Sequence, residues 1–293
     1  MATEVLFVVP TINAKASQAA AEAQQWLAER QVHSSVVDAD QLLIGSSTLQ
    51  HLVAHGRRFA LVCALGGDGT VLRATRVAAL ADIPLIGINF GSLGFLTGAH
   101  SASLLPALEA FLQGRLTKER RVMLSANISF SDGSHAQYQA LNEIVLGRQS
   151  LGRDIRVRVA INDHALPEFR ADGMVVATAT GSTAYALSAG GSLLTPDQRG
   201  LCVVPISAHN LRSVSFVCGP EDTISLFPLA RSGQRAVAYI DGQMLANADG
   251  ERDIVSVLVK RAQKELLLLN YDAPDFYAKV VRLLSGMEHE HVT

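Results

Sequence analysis

The stretch that most constrains how this chain can fold is Leu65-Gly66-Gly67-Asp68-Gly69-Thr70. An apolar run over 59–65 precedes it and predicts a buried strand. Val71, Leu72, Thr75 and Ala78 follow at helical spacing and predict a helix over 71–81. A strand, a glycine turn and a helix start in that order form a phosphate-binding device. Glycines let the backbone approach a ligand closely, and the free N–H groups of the first helical turn face an anion. Asp68 breaks that pattern, because a carboxylate repels phosphate. Three roles fit it: holding a metal that bridges to phosphates, taking a proton from an attacking hydroxyl, or capping the helix.

Around this turn, apolar runs alternate with helical stretches. Residues 5–9, 35–38, 59–65 and 85–89 predict strands, and 14–30, 49–55, 71–81 and 104–112 predict helices. Such alternation predicts βαβ units on a parallel sheet, whose ligands gather at the carboxyl ends of the strands. The Asp68 turn and the stretch Asn89-Phe90-Gly91-Ser92-Leu93-Gly94-Phe95 both sit at such ends, so they can face one crevice. Beyond residue 118 the pattern changes to many short strand candidates, among them 138–146, 156–161, 174–177, 201–206, 236–240, 254–259 and 265–269. The predicted fold class is therefore an α/β N-terminal nucleotide-binding domain with a parallel sheet, plus a mostly antiparallel β-sandwich-like C-terminal domain. The boundaries expected are 1–118 for the first and 119–274 for the second, with a last helix over 275–285 packing back on the first.

Composition narrows the function classes. A formal net charge of −2 gives no electrostatic case for nucleic acid or an anionic membrane. No run of about 18 apolar residues exists to span a bilayer, and the N-terminus lacks the basic start of a secretory signal. Cys63, Cys202 and Cys218 are odd in number and sit in apolar runs. They are expected as core residues in a reducing compartment, and the predicted localisation is cytoplasmic.

Two stretches of the second half carry polar chemistry. Asn142 and Glu143 interrupt an apolar strand; they are either solvated side chains on an edge strand or a hydrogen-bonding pair lining a crevice. The second stretch runs from Arg170-Ala171-Asp172-Gly173 through Thr180-Gly181-Ser182-Thr183-Ala184-Tyr185-Ala186-Leu187-Ser188. There a strand enters a hydroxyl-rich turn and a small-residue helix. Ser182 or Thr183 can cap that helix, small side chains leave room for a flat ring, and Tyr185 offers a stacking face. No Gly-x-x-x-x-Gly-Lys-[Ser/Thr] string is present, and the turn at Gly67 and Gly69 lacks the third glycine of a dinucleotide fingerprint.

Taken together, Gly66-Gly67-Asp68-Gly69-Thr70, Asn142-Glu143 and the Asp172–Tyr185 stretch resemble the NAD kinase family in order and approximate spacing. Ile86-Gly87-Ile88-Asn89, Leu93-Gly94-Phe95-Leu96 and Asp241-Gly242-Gln243 fit as well. The resemblance covers nearly the whole chain. It departs at Ala179, where proline is usual, at Ala171, where glycine is common, and at Val214-Ser215, where Arg-Pro often stands. It implies transfer of the γ-phosphoryl of ATP to the adenosine ribose 2′-hydroxyl of NAD, giving NADP and ADP. Asp68 would be the proton acceptor and Gly69 would approach NAD closely. Arg73 matches a nucleotide-contacting basic position. Asn142, Glu143, Asp172 and the segment Thr183, Ala184, Tyr185, Ala186, Leu187, Ser188 would bind NAD, and Arg153, Arg170, Thr180 and Gln243 match further contacts. The resemblance also implies Mg²⁺, or another divalent metal, on the nucleotide phosphates with no metal site made by the protein, and a homodimer or homotetramer. The glycine–aspartate string alone is shared with diacylglycerol and sphingosine kinases, so a lipid kinase is the alternative enzyme. A catalytically silent NAD(P)-binding protein is the alternative outside enzymes.

Overall fold

The computed structural model describes residues 4–91, 94–149, 154–208, 214–229, 235–245 and 252–285. The chain divides into two compact units, Met1–Arg121 with Leu266–Thr293, and Val122–Glu265.

The first unit is built on a sheet in the order His33–Asp38, Glu4–Val9, Phe59–Gly66, Leu85–Asn89, Leu266–Asn270, Thr117–Arg121, with the short strand Ala99–His100 also paired to Leu85–Asn89. All its pairings are parallel except that of Thr117–Arg121 with Leu266–Asn270. Parallel strands covered on both faces need apolar side chains on both. Accordingly, Val5, Leu6, Phe7, Val8 and Val9 are all buried, as are Leu61 through Leu65. The helix Ala14–Ala28 buries Ala16, Ala20, Ala23 and Leu27, a single face at i, i+4, i+7 and i+11. These side chains share one core cluster with Phe7 and Leu61. Asn13 starts this helix by accepting the N–H of Ala16 at 3.0 Å. The helix Asp68–Ala81 buries Val71, Ala74, Thr75 and Ala78 and stops where Asp82 turns to φ 59°.

One strand lies elsewhere than the sequence suggests. The run 265–269 falls in the β-rich half by its position, yet Leu266–Asn270 pairs in parallel with Leu85–Asn89 and belongs to the first unit. A short apolar run carries no mark of which sheet it will join; its partner strand decides that. The helix Phe276–Leu284 belongs to the same unit.

The second unit holds two antiparallel sheets. One runs His164–Ala165, Ile155–Ile161, Ile224–Leu229, Ile254–Arg261, Leu124–Phe130, His135–Ala140, with Phe169–Ala171 also on Ile155–Ile161. The other runs Phe216–Cys218, Leu201–Ile206, Gly173–Ala177, Glu143–Arg148, Ala236–Ile240, Gln243–Met244. The single strand expected over 138–146 is in fact two. His135–Ala140 joins the first sheet and Glu143–Arg148 the second, so Leu141 and Asn142 are the point where the chain changes sheets. Val145, Val175, Ala177, Ala186, Cys202 and Val204 form a core cluster on the second sheet.

The three thiols are free and buried. Burial raises each of them, Cys218 to about 11 with help from the Asp222 charge, so they stay protonated near neutral pH. Among the described residues no helix is long and apolar enough to cross a membrane.

Candidate active site

In the first unit, two neighbouring parallel strands end level with each other. Gly66 and Asn89 are register partners at their carboxyl ends. The helix that follows Gly66 starts at Asp68, with Gly67 in the cap position and no side-chain cap bond. Asp68 therefore does not cap its helix. Its carboxylate turns instead to the segment beyond Asn89: Oδ2 accepts the N–H of Phe95 at 2.8 Å and Oδ1 that of Leu96 at 3.0 Å. Residue 94 must be glycine for this to happen, since a Cβ there would lie 2.0 Å from Oδ1 of Asp68. The 66–70 turn and the end of the 89–95 stretch are thus in direct contact.

Asn89, buried, braces the start of the same segment by exchanging two 3.1 Å hydrogen bonds with the backbone of Gly91. Lys279, on the helix Phe276–Leu284, donates to the carbonyls of Phe95 and Thr97 at 3.2 and 3.1 Å. Gly69 is different from Gly94: a Cβ there would meet nothing within 4 Å. The chain's own packing does not call for glycine at 69. Arg73, one turn along, pairs with Asp40 at 3.2 Å.

In the second unit, Asn142 and Glu143 are neither solvated nor on an edge. They are 7% and 5% exposed, and Glu143–Arg148 lies between Gly173–Ala177 and Ala236–Ile240. The segment is held from both sides. Asp241 accepts the N–H groups of Leu141, Asn142 and Glu143 at 2.8, 2.7 and 3.1 Å. Thr178, fully buried, donates its hydroxyl to the carbonyl of Leu141 at 2.6 Å and its N–H to that of Asn142 at 2.9 Å. Gly181 closes in on the same backbone, where a Cβ would lie 2.1 Å from the Asn142 carbonyl oxygen.

With the main chain so well satisfied, the side chains are not. Oδ1 of Asn142 and Oε2 of Glu143 are buried and have no hydrogen-bond partner. Burial, with the Asp241 charge adding to it, pushes the Glu143 carboxyl up to about 8. Each unsatisfied buried polar atom costs roughly 1–3 kcal/mol. Two on consecutive residues mark a place that a hydrogen-bonding ligand would complete.

The other predicted residues are distributed as follows. Asp172 is bound by Arg148 through two contacts of 3.1 Å. Arg170 points outward and pairs with Asp154 at 2.8 Å. Thr180 is buried, and Ser182 and Thr183 do not cap the following helix. Their hydroxyls donate backward to the carbonyls of Ala179 and Thr180. Ala186 is buried, Tyr185 is 43% exposed, Thr183, Ala184 and Leu187 are half-buried, and Ser188 is exposed. Gln243 is half-buried opposite Ile240. Arg153 lies outside the described residues. Among the described residues no group of three or more His, Cys, Asp or Glu could hold a metal ion.

Residue-level reasoning did not single out Gly94, Thr178, Asp241 or Lys279 for these roles. Asp241 precedes Gly242 after an apolar strand, a hairpin signal that explains its φ of 46° but not its three main-chain donors. Lys279 shares a helical face with Phe276 and Val280, and a lysine on an apolar face is the one available sign of it.

A carboxylate at the ends of parallel strands, heading a helix behind a glycine turn, places the first unit in the α/β class, with an added antiparallel β unit. The ATP-NAD kinase N-terminal domain model matches residues 5–116, and the ATP-NAD kinase C-terminal domain model matches residues 141–269. The NAD kinase of Heliobacterium modesticaldum is 34% identical over 265 residues, covering 90% of this chain and 92% of that protein. The NAD kinase of Caldanaerobacter subterraneus subsp. tengcongensis is 37% identical over 214 residues, covering 73% and 74%. The chain belongs to the NAD kinase family. Solved structures share its fold, among them the following two. Yeast NADH kinase complexed with NADH aligns with a TM-score of 0.81 at 21% identity, covering 99% of this chain and 90% of that one. An NAD kinase from Archaeoglobus fulgidus in complex with ATP aligns at 0.69 and 22%, covering 96% and 97%.

Proposed function

We propose that this chain transfers the γ-phosphoryl group of ATP to the 2′-hydroxyl of the adenosine ribose of NAD, yielding NADP and ADP. The observation that carries the reading is the Asp68 carboxylate, oriented by two main-chain N–H groups at the ends of the parallel strands. A ribose hydroxyl is a weak nucleophile at neutral pH. Asp68 takes its proton as the oxygen–phosphorus bond forms and the bond from the γ-phosphorus to the ADP oxygen breaks. The carboxylate is fixed before substrate arrives, so no reorganisation is needed at that moment. Gly69 leaves open space beside it for a close approach.

Asn142 and Glu143 contact NAD, whose amino and hydroxyl groups supply the donors that Oδ1 and Oε2 lack. Asp172, Thr180, the 183–188 segment, Gln243, Arg153 and Arg170 contribute further NAD contacts, and Arg73 contacts nucleotide. The divalent metal enters as part of the Mg·ATP substrate, where it offsets the negative charge of the phosphates near Asp68. A homo-oligomer is part of the same proposal, and the buried free thiols fit a reducing compartment such as the cytoplasm.

The test is direct. Purified protein with Mg·ATP and NAD, coupled to an NADP-specific dehydrogenase, should reduce NADP as it forms. Phosphorylation of diacylglycerol but not NAD, or NAD binding with no turnover, would overturn the reading.

A further inference from the structure

Residues 94–97 belong to no helix or strand, yet they set the direction of Asp68. A segment without regular structure keeps one geometry only if something ties it down. Its N–H groups at Phe95 and Leu96 point to Asp68. Its carbonyls at Phe95 and Thr97 accept instead from one buried ammonium, Nζ of Lys279, at 3.2 and 3.1 Å. The two sets of bonds meet in one peptide unit, because the Phe95 carbonyl and the Leu96 N–H belong to the same planar amide. Moving the carbonyls moves the donors that hold the carboxylate.

We propose that Lys279 is a positioning residue for phosphoryl transfer, pinning the 95–97 backbone so that Phe95 and Leu96 hold Asp68 in one orientation. This rests on Asp68 being the proton acceptor. Burial disfavours the charge on Lys279 and Asp68 favours it; Arg121 opposes the charge and Glu119 supports it. Among the described residues these are the charged groups that act on it, from the helix headed by Asp68 and the strand Thr117–Arg121. The ammonium thus also supplies a positive field at Asp68.

The experiment uses the full chain with Lys279→Met, Lys279→Gln, Lys279→Arg and Asp68→Asn. Three things are measured: kcat and KM for NAD, the acid limb of the kcat–pH profile, and the pH titration of the Phe95 and Leu96 amide protons by NMR. Lys279→Met is expected to lower kcat roughly ten- to hundredfold. KM for NAD should stay nearly constant, the acid limb should move upward, and the two amides should lose their common titration with Asp68. Lys279→Arg, which keeps charge and donors, should restore most of kcat. A folded Lys279→Met with unchanged kcat and acid limb overturns the proposal, as does a loss of kcat with both amides titrating normally. If the methionine variant does not fold, Lys279→Gln keeps donors without charge and decides by the acid limb, which must move for the proposal to stand. Asp68→Asn separates the two failures. Full turnover in that variant removes the underlying reading, whereas an inactive Asp68→Asn beside an unaffected Lys279→Met removes only the role of Lys279.

Discussion

Asp68 in the first unit and Glu143 in the second are acids in opposite conditions. The carboxylate of Asp68 receives main-chain donors on both oxygens, and the segment that supplies them is itself tied by Lys279. Glu143 has its backbone secured by Asp241 but keeps a buried oxygen with no partner, and its carboxyl is driven up to about 8. In one unit the chain completes the environment of the acid. In the other it completes everything except the side chain. The first arrangement suits a group that must be aimed and ready; the second suits a group that a ligand finishes.

The sharpest test of that contrast is Asp68→Asn. Replacing a proton acceptor by an isosteric amide should cost about 10²–10⁴-fold in kcat. NAD affinity, followed by calorimetry, should change little. Asp241→Ala should act on stability instead. Three N–H groups lose one charged acceptor, at about 1.5–3 kcal/mol for a hydrogen bond to charge and less than additively, so a loss of roughly 3 kcal/mol or more is expected in urea titration.

Glu143→Gln sharpens the comparison through pH. The folded-state value of Glu143 lies above its ordinary 4.5, so between pH 4.5 and about 8 the folded chain holds a proton that the unfolded chain has released. Stability from this group is complete below 4.5 and is lost as pH rises toward 8, at up to about 1.4 kcal/mol per pH unit. The glutamine variant should flatten that part of the unfolding profile, and an unaltered slope would show that Glu143 is not the group responsible. The smallest effect belongs to Gly69→Ala. With open space over the position and helix on its far side, stability should hold or rise by about 0.5–1 kcal/mol. Turnover should nonetheless fall, since the added methyl stands where a ligand must come close. Undiminished activity would show that glycine at 69 serves no ligand.

Much of this architecture is legible in local pattern. The near-continuous apolar runs at 5–9 and 59–65 announce strands covered on both faces, and the spacing of Ala16, Ala20, Ala23 and Leu27 announces a helix lying on them. The turn at Asp68 is equally plain, because a strand, glycines and a helix start are consecutive in the chain. The break at Leu141-Asn142 is hidden, since an apolar run looks the same whether one sheet receives it or two. The placement of Leu266–Asn270 beside Leu85–Asn89 is hidden for a similar reason, with its partner far away in sequence.

By itself, then, the sequence determined the order of elements, the carboxylate turn and the polar pair at 142–143, because each depends on neighbours within a few residues. Only the tertiary structure decided what those groups do with their hydrogen bonds. It showed that Asp68 faces Phe95 and Leu96 rather than its own helix, that Asp241 reaches back about a hundred residues to grip Leu141, Asn142 and Glu143, and that Lys279 holds the loop at 95–97. The physical reason is that a carboxylate or ammonium accepts any geometrically suitable partner, and suitability is a matter of position in space, which no local pattern encodes.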